Sequence, residues 1–239
     1  MTSKARLFYH RELKKDLISK LSESQSHYTK NVMRLKPGDK ISLFNSMNGE
    51  WDASILKHDK NLTEFKVEKL CRNKNMEGNL WLAFSLIKKN PQDFMLQKTT
   101  ELGIQKFIPL FCERSVAKEI NIERAKKIVI EASEQSNRIS VPEILEIQKL
   151  ENFLTNFPKN GVIIFCDINC KTSDLKISLS NKTPVCILLG PEGDFSENER
   201  QLIVDNKKTV SISLAKNILR TETAAIAATT ILSHNLNFK

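Results

Sequence analysis

The chain has 239 residues, 40% hydrophobic and 27% charged, with 37 Lys and Arg against 28 Asp and Glu for a formal charge of +9. This is the balance of a globular protein with one large or two small cores, and no apolar run approaches the roughly 20 residues of a membrane span. The opening MTSKARLFYH has no apolar core followed by a small-residue cleavage site, so a secretory signal is not expected and a cytoplasmic location is.

Residues 1–72 read as short strands separated by turn chemistry. RLFYH comes first, then KISLFN and EWDASIL, introduced by Pro37-Gly38-Asp39 and joined through Asn48-Gly49, then LTEFKVEKL. Ile41 and Leu43, and then Trp51, Ala53 and Ile55, alternate with polar residues as half-buried strands do. One helix is expected around HYTKNVMRL, and the whole predicts a small β-barrel. The positive charge sits here too: residues 1–76 hold 16 Lys and Arg against 9 Asp and Glu, a net +7, which leaves +2 for all the rest. A concentrated basic excess suits a module that grips a polyanion, although a solvated face has the same composition. His27 and Trp51 read as structural.

The polar stretch CRNKNMEGN (71–79) is the linker candidate, dividing the chain after residue 72. Beyond it strands alternate with helices. LWLAFSLIK is followed by PQDFMLQKTTELG, with Pro91 at a helix start and Gly103 at its end. KFIPLF precedes a helix over 121–135 that places Ile122, Ala125, Val129 and Ala132 on one face, and then comes VIIFC. Such alternation predicts an α/β domain with a mainly parallel sheet covered on both faces.

The last third holds the chemistry-bearing segments, LLGPEGDFSENE (188–199) and SLAKNILRTETAAIAA (213–228). Each runs from aliphatic residues through a polar or glycine-containing bend into a helix-forming stretch. In the first, Gly190 and Gly193 permit backbone conformations closed to other residues, and Ser196 with Glu199 makes an S-x-x-E capping box. In the second, Arg220 and Glu222 stand at the mouth of an alanine-rich helix, where a charged side chain can be aimed at a reacting group. The seven glycines form no G-x-G or P-loop spacing, so a cofactor held by a glycine-rich Rossmann turn is not expected. Five scattered cysteines and four histidines form no metal-ligand pattern, and free thiols without a metal are expected.

GPEGDFS followed by LAKNILRTETA, together with HYTKNVMRLKPGDKISLFN, FMLQKTTELGIQKFIPLFCERS (94–115) and EASEQSNRISVPEI (131–144), resembles the RsmE family of 16S ribosomal RNA (uracil-N3)-methyltransferases. These belong to the SPOUT class, and the resemblance covers nearly the whole chain. It implies a PUA-like RNA-binding barrel over 1–72 and a SPOUT methyltransferase domain with a trefoil knot over 73–239. It also implies S-adenosyl-L-methionine as cofactor, 16S rRNA of the small ribosomal subunit as partner, and a homodimer.

Carried over position by position, the resemblance puts Leu189, Gly190, Glu192 and Gly193 on one side of the cofactor pocket and Leu214, Ala215, Ile218, Leu219 and Arg220 on the other. Arg220 would stabilise the charge that spreads onto the uracil oxygens, and Glu222 would orient Arg220 or accept the imide proton. Arg11, Arg34 and Lys36 in the barrel, with Arg114 and Arg138 in the catalytic domain, would face RNA. The chain departs from the family's L-G-x-R-I-L-R at Ala215 and Asn217, and Asp194 falls where a further glycine is frequent. Simple core packing for the leucines, a helix-start acid for Glu222 and surface ion pairs for Arg114 and Arg138 are the plainer readings. The alternatives for the whole are a SPOUT enzyme acting on another RNA site or a ribose hydroxyl, or a non-catalytic RNA-binding assembly factor.

Overall fold

The computed structural model describes residues 5–60, 62–74, 78–171 and 183–237, so the middle of the linker candidate lies outside the described residues. The chain divides into two compact units, Met1–Met76 with Ser133–Val141, and Glu77–Ala132 with Pro142–Lys239.

The first unit is built on a five-stranded sheet in the order β1-β3-β4-β5-β2. Its strands are β1 (Ala5–Phe8), β2 (Ile18–Lys20), β3 (Lys40–Asn45), β4 (Gly49–His58) and β5 (Thr63–Arg72). β1 runs parallel to β3 and the other pairs are antiparallel. Ile41 and Leu43, Ala53 and Ile55, and Phe65 and Val67 are spaced by two along their strands and share one buried cluster with Leu7 and Tyr9. The expected Asn48-Gly49 turn joins β3 to β4. There Gly49 has a φ of +81°, and the Asn45 side chain ties the turn down by accepting from the Met47 and Asn48 amides. The helix begins earlier than expected, as α1 (Glu23–His27), because Ser22 and Gln25 form a capping box; a single π turn over Tyr28–Val32 continues it.

Glu50 is buried and accepts from Ser42, from Arg6 Nε at 3.3 Å and from Arg72 Nε at 2.8 Å. Burial opposes its ionisation, yet the Ser42 and Arg72 hydrogen bonds and the Arg6 and Arg72 charges outweigh that and hold its carboxyl below the usual range. Arg6 also donates to the carbonyls of Ser133, at 2.8 Å, and Arg138, so this ion network fastens residues 133–141 into the first unit.

The second unit centres on a parallel sheet. Its strands are β6 (Leu80–Ser85), β7 (Lys106–Phe111), β8 (Glu143–Ile144), β9 (Gln148–Lys149), β10 (Val162–Cys166), β11 (Val185–Leu189) and β12 (Thr209–Ile212). The order is β12-β10-β11-β6-β7-β8, with β9 also on β7, and every pairing is parallel. β11 lies between two strands and all five of its residues are buried, which is why VCILL is continuously apolar rather than alternating. The helices are α2 (Lys89–Glu101), α3 (Ile122–Gln135, of which 133–135 group with the first unit), α4 (Leu150–Asn156), α5 (Glu197–Asp205) and α6 (Thr221–Asn237), and α2 packs against α6. Because the strands are parallel, the bends after β10, β11 and β12 all emerge at one end of the sheet, where ligands of open α/β sheets bind.

Among the described residues no helix is long and apolar enough to cross a membrane, and no cluster could hold a metal ion. The five cysteines are free. Burial pushes the Cys112 thiol up to about 12, so it stays protonated at neutral pH.

Candidate active site

A cavity of about 490 Å³ opens in the second unit, walled by the bend after β11, the residues leading into α6, the start of α2 and the end of β10. The first wall begins at Gly190. A methyl group there would meet the Phe195 ring at 3.0 Å, so the ring lies directly on the glycine. Phe195 is itself buried and packs edge-on against Phe165 of β10, with centroids 5.7 Å apart. The left-handed residue of this bend is Asp194, at φ +60°, and not Gly190 or Gly193, neither of which has a positive φ. The expectation that those two glycines supply special backbone conformations is therefore corrected: Gly190 is needed for close approach. Asp194 offsets its conformation by accepting from the Phe195 amide at 2.8 Å, a local bond that makes aspartate tolerable there.

The bend closes into α5 through the expected capping box. Ser196 Oγ accepts from the Glu199 amide at 3.3 Å, and Glu199 Oε2 accepts from the Ser196 amide at 3.0 Å. The second wall, Ile218 to Glu222, joins the first where Thr221 donates its hydroxyl to the Gly190 carbonyl at 3.4 Å. At the end of β10, Asp167 is buried and accepts from Arg200 Nη2 at 2.5 Å and from the Asn169 amide at 2.9 Å, which holds the turn carrying Cys166 and Ile168 against the cavity.

Of the residues singled out from the sequence, Leu189, Gly190, Glu192, Ile218, Leu219, Arg220 and Glu222 line this cavity together. Leu214 and Ala215 line an adjoining hollow of about 80 Å³ that shares Ile218 and Leu219 with it. Gly193 lines neither; its carbonyl accepts from Arg114 Nη1 at 3.1 Å. Ile218 is 83% exposed, an apolar side chain on the cavity rim with nothing of the chain over it. Lys88, Pro91, Cys166, Ile168, Asp194 and Thr221 also line the cavity and were missed. The signal that could have found Lys88 and Cys166 is their position at the carboxyl ends of apolar parallel-strand segments.

The RNA-facing candidates are divided between the units. Arg11, Arg34 and Lys36 are exposed in the first unit, and Arg114 is exposed in the second. Arg138 belongs with the first unit and is only 8% exposed, with Nη2 donating to Ser140 Oγ at 3.0 Å. The 133–141 segment that carries it groups with the first unit, where Arg6 donates to the Ser133 and Arg138 carbonyls.

The sequence matches the family model of an RNA methyltransferase domain over residues 73–233 and that of an RNA methyltransferase PUA domain over 21–68. The chain belongs to this RNA methyltransferase family. It is similar to the ribosomal RNA small subunit methyltransferase E of Rickettsia conorii, with 37% identity over 210 residues, 87% of this chain and 85% of that one. The Bacillus subtilis protein of the same name is 27% identical over 90% of this chain and 89% of its own. In structure, this family member superposes on the Neisseria gonorrhoeae ribosomal RNA small subunit methyltransferase E bound to S-adenosyl methionine with a TM-score of 0.85 and 27% identity, covering 99% of this chain and 100% of that one.

Proposed function

We propose that the chain is an S-adenosyl-L-methionine-dependent methyltransferase that modifies N3 of a specific uridine in 16S ribosomal RNA of the small subunit. The observation that carries this reading is the meeting of residues 189–192 and 218–222 around one cavity, with Arg220 and Glu222 at its wall.

The residues present suit the cofactor. A volume of about 490 Å³ falls within the roughly 300–1,000 Å³ of small-molecule sites. Leu189, Ile218 and Leu219 offer aliphatic cover for an adenine, the bends offer main-chain groups, and the Glu192 and Glu222 carboxylates complement a cationic sulfonium. The bound cofactor supplies an electrophilic methyl group. What the chain adds is placement and charge stabilisation. Uracil N3 must lose its weakly acidic imide proton, and the resulting charge spreads to the neighbouring oxygens. Arg220, exposed at the cavity, offers a permanently charged guanidinium with forked donors for those oxygens. Glu222, half-buried beside it in the first turn of α6, orients Arg220 or accepts the proton.

Arg11, Arg34 and Lys36 lie in the unit that carries most of the positive charge, and they would hold RNA phosphates without reading bases, with Arg114 a further contact in the catalytic unit. The same reading divides the chain into a PUA-like RNA-binding domain over 1–72 and a SPOUT methyltransferase domain over 73–239. It includes a trefoil knot, a homodimer and a cytoplasmic location. The test is transfer of labelled methyl groups from S-adenosylmethionine to small ribosomal subunits and to free ribosomal RNA from cells lacking the protein, with Arg220→Ala alongside. Labelled N3-methyluridine that disappears with Arg220→Ala supports the reading; absence of transfer to both substrates by the unaltered protein contradicts it.

A further inference from the structure

Glu199 does more than cap a helix. In a capping box one carboxylate oxygen suffices, and here Oε2 meets that need at the Ser196 amide. The other oxygen, Oε1, accepts from the amide of Glu113 at 2.8 Å, 86 residues away in the segment after β7. A second clamp lies alongside, where Arg114 Nη1 donates to the carbonyls of Gly193, at 3.1 Å, and Phe195, at 3.3 Å. The 112–115 turn is in turn fixed to the sheet: Ser115 Oγ accepts from the Cys112 amide at 2.9 Å and lies 2.9 Å from Ser85 Oγ at the end of β6. The GPEGDFS bend is thus fastened through Glu199 and Arg114 to the ends of β6 and β7.

We infer that Glu199 is a positioning residue for the cofactor, holding the Gly190–Ser196 bend in its binding shape by tying it to the 112–115 turn, with Arg114 as the second tie. The inference rests on the function proposed above. Glutamate is required for a definite reason: both its oxygens accept, each from a main-chain N–H. Glutamine caps helices as well as glutamate does, but here its NH2 would face one of the two N–H groups, donor against donor. Glu199→Gln therefore cannot accept from both the Ser196 and the Glu113 amides.

The experiment is equilibrium binding of S-adenosylhomocysteine to the full chain carrying Glu199→Gln, Arg114→Ala or both, with binding of the Glu199→Gln chain to small-subunit ribosomal RNA measured in parallel. The expected result is affinity for S-adenosylhomocysteine reduced at least about 10-fold by Glu199→Gln, with RNA affinity within about 2-fold of the unaltered protein. Arg114→Ala changes an exposed residue and retains the fold, and it too weakens S-adenosylhomocysteine binding. Because the two ties hold one bend, the double variant loses less than the product of the single losses. Unchanged S-adenosylhomocysteine binding in Glu199→Gln, equal loss of RNA and S-adenosylhomocysteine binding, or multiplicative losses in the double variant overturns the inference alone. Failure of the unaltered protein to bind S-adenosylhomocysteine overturns the proposed function and the inference with it.

Discussion

Thr221, the first residue of α6, donates its hydroxyl to the main-chain carbonyl of Gly190 at 3.4 Å, joining two bends that lie 31 residues apart in sequence. Thr221 is buried although it lines the cavity, so its hydroxyl is held at the junction of the two bends. Thr221→Val keeps the shape and removes the donor. A neutral hydrogen bond contributes about 1 kcal/mol, so cofactor affinity is expected to fall about 5-fold. Calorimetric titration of the variant checks this, and unchanged affinity would mean that the two bends hold their spacing without it.

Ile218 separates binding from folding. At 83% exposure its side chain contributes little to the core, while in the proposed complex it covers the cofactor. Ile218→Ser is expected to weaken cofactor binding by about 1–2 kcal/mol, roughly 5- to 30-fold, and to leave the unfolding midpoint of the ligand-free protein unchanged. Lower stability without weaker binding would place Ile218 in packing instead.

Two glycines of the first unit distinguish backbone strain from steric collision. Gly38, at φ +92°, faces open space, whereas a methyl group on Gly49, at φ +81°, would lie 2.2 Å from the Arg72 carbonyl oxygen. Gly38→Ala is expected to cost about 1 kcal/mol, and Gly49→Ala distinctly more, because the β4–β5 edge must move. Urea unfolding of both variants gives the comparison, and equal costs would contradict it.

Glu50 gives the first unit an acid-sensitive lock. Its folded carboxyl titrates below its ordinary value of 4.5, so its contribution is fully present above that value and is lost as pH falls through the lower folded one. Glu50→Gln leaves Arg6 buried with its main charge partner gone and is expected to destabilise by about 3–5 kcal/mol at pH 7. The gap between variant and unaltered protein narrows as pH drops below 4.5, because protonation removes the same charge. A gap that stays constant down to pH 3 would contradict this.

Much of this architecture is legible in the sequence because its signals are local. Alternation along Ile41 to Leu43 and Ala53 to Ile55, the Asn48-Gly49 turn, the Ser196 and Glu199 capping box and the solid apolar run of β11 each follow from the backbone period or a cap. Of the candidates that the family resemblance points to in the two signature bends, seven line one cavity. What stayed hidden depends on long-range pairing. Strands of two or three residues such as β2, β8 and β9 exist only because a longer neighbour pairs with them. Lys88 and Cys166 reach the cavity because α2 starts and β10 ends beside it. Arg138 looked like a surface cation because nothing near it in sequence announces that Arg6 binds its carbonyl. Gly190 and Asp194 show the limit of composition: the glycine serves the Phe195 ring, and the aspartate takes the left-handed turn.

Methylation at uracil N3 is tested by locating the methyl group. Nucleosides from small-subunit ribosomal RNA of a strain lacking the protein are separated by mass spectrometry, with plasmids restoring either the unaltered chain or Arg220→Ala. N3-Methyluridine is expected to be absent in the deletion, to return with the unaltered chain, and to be at least about 100-fold scarcer in initial-rate measurements with Arg220→Ala. N3-methyluridine persisting in the deletion strain, or restored at the full initial rate by Arg220→Ala, would contradict that expectation.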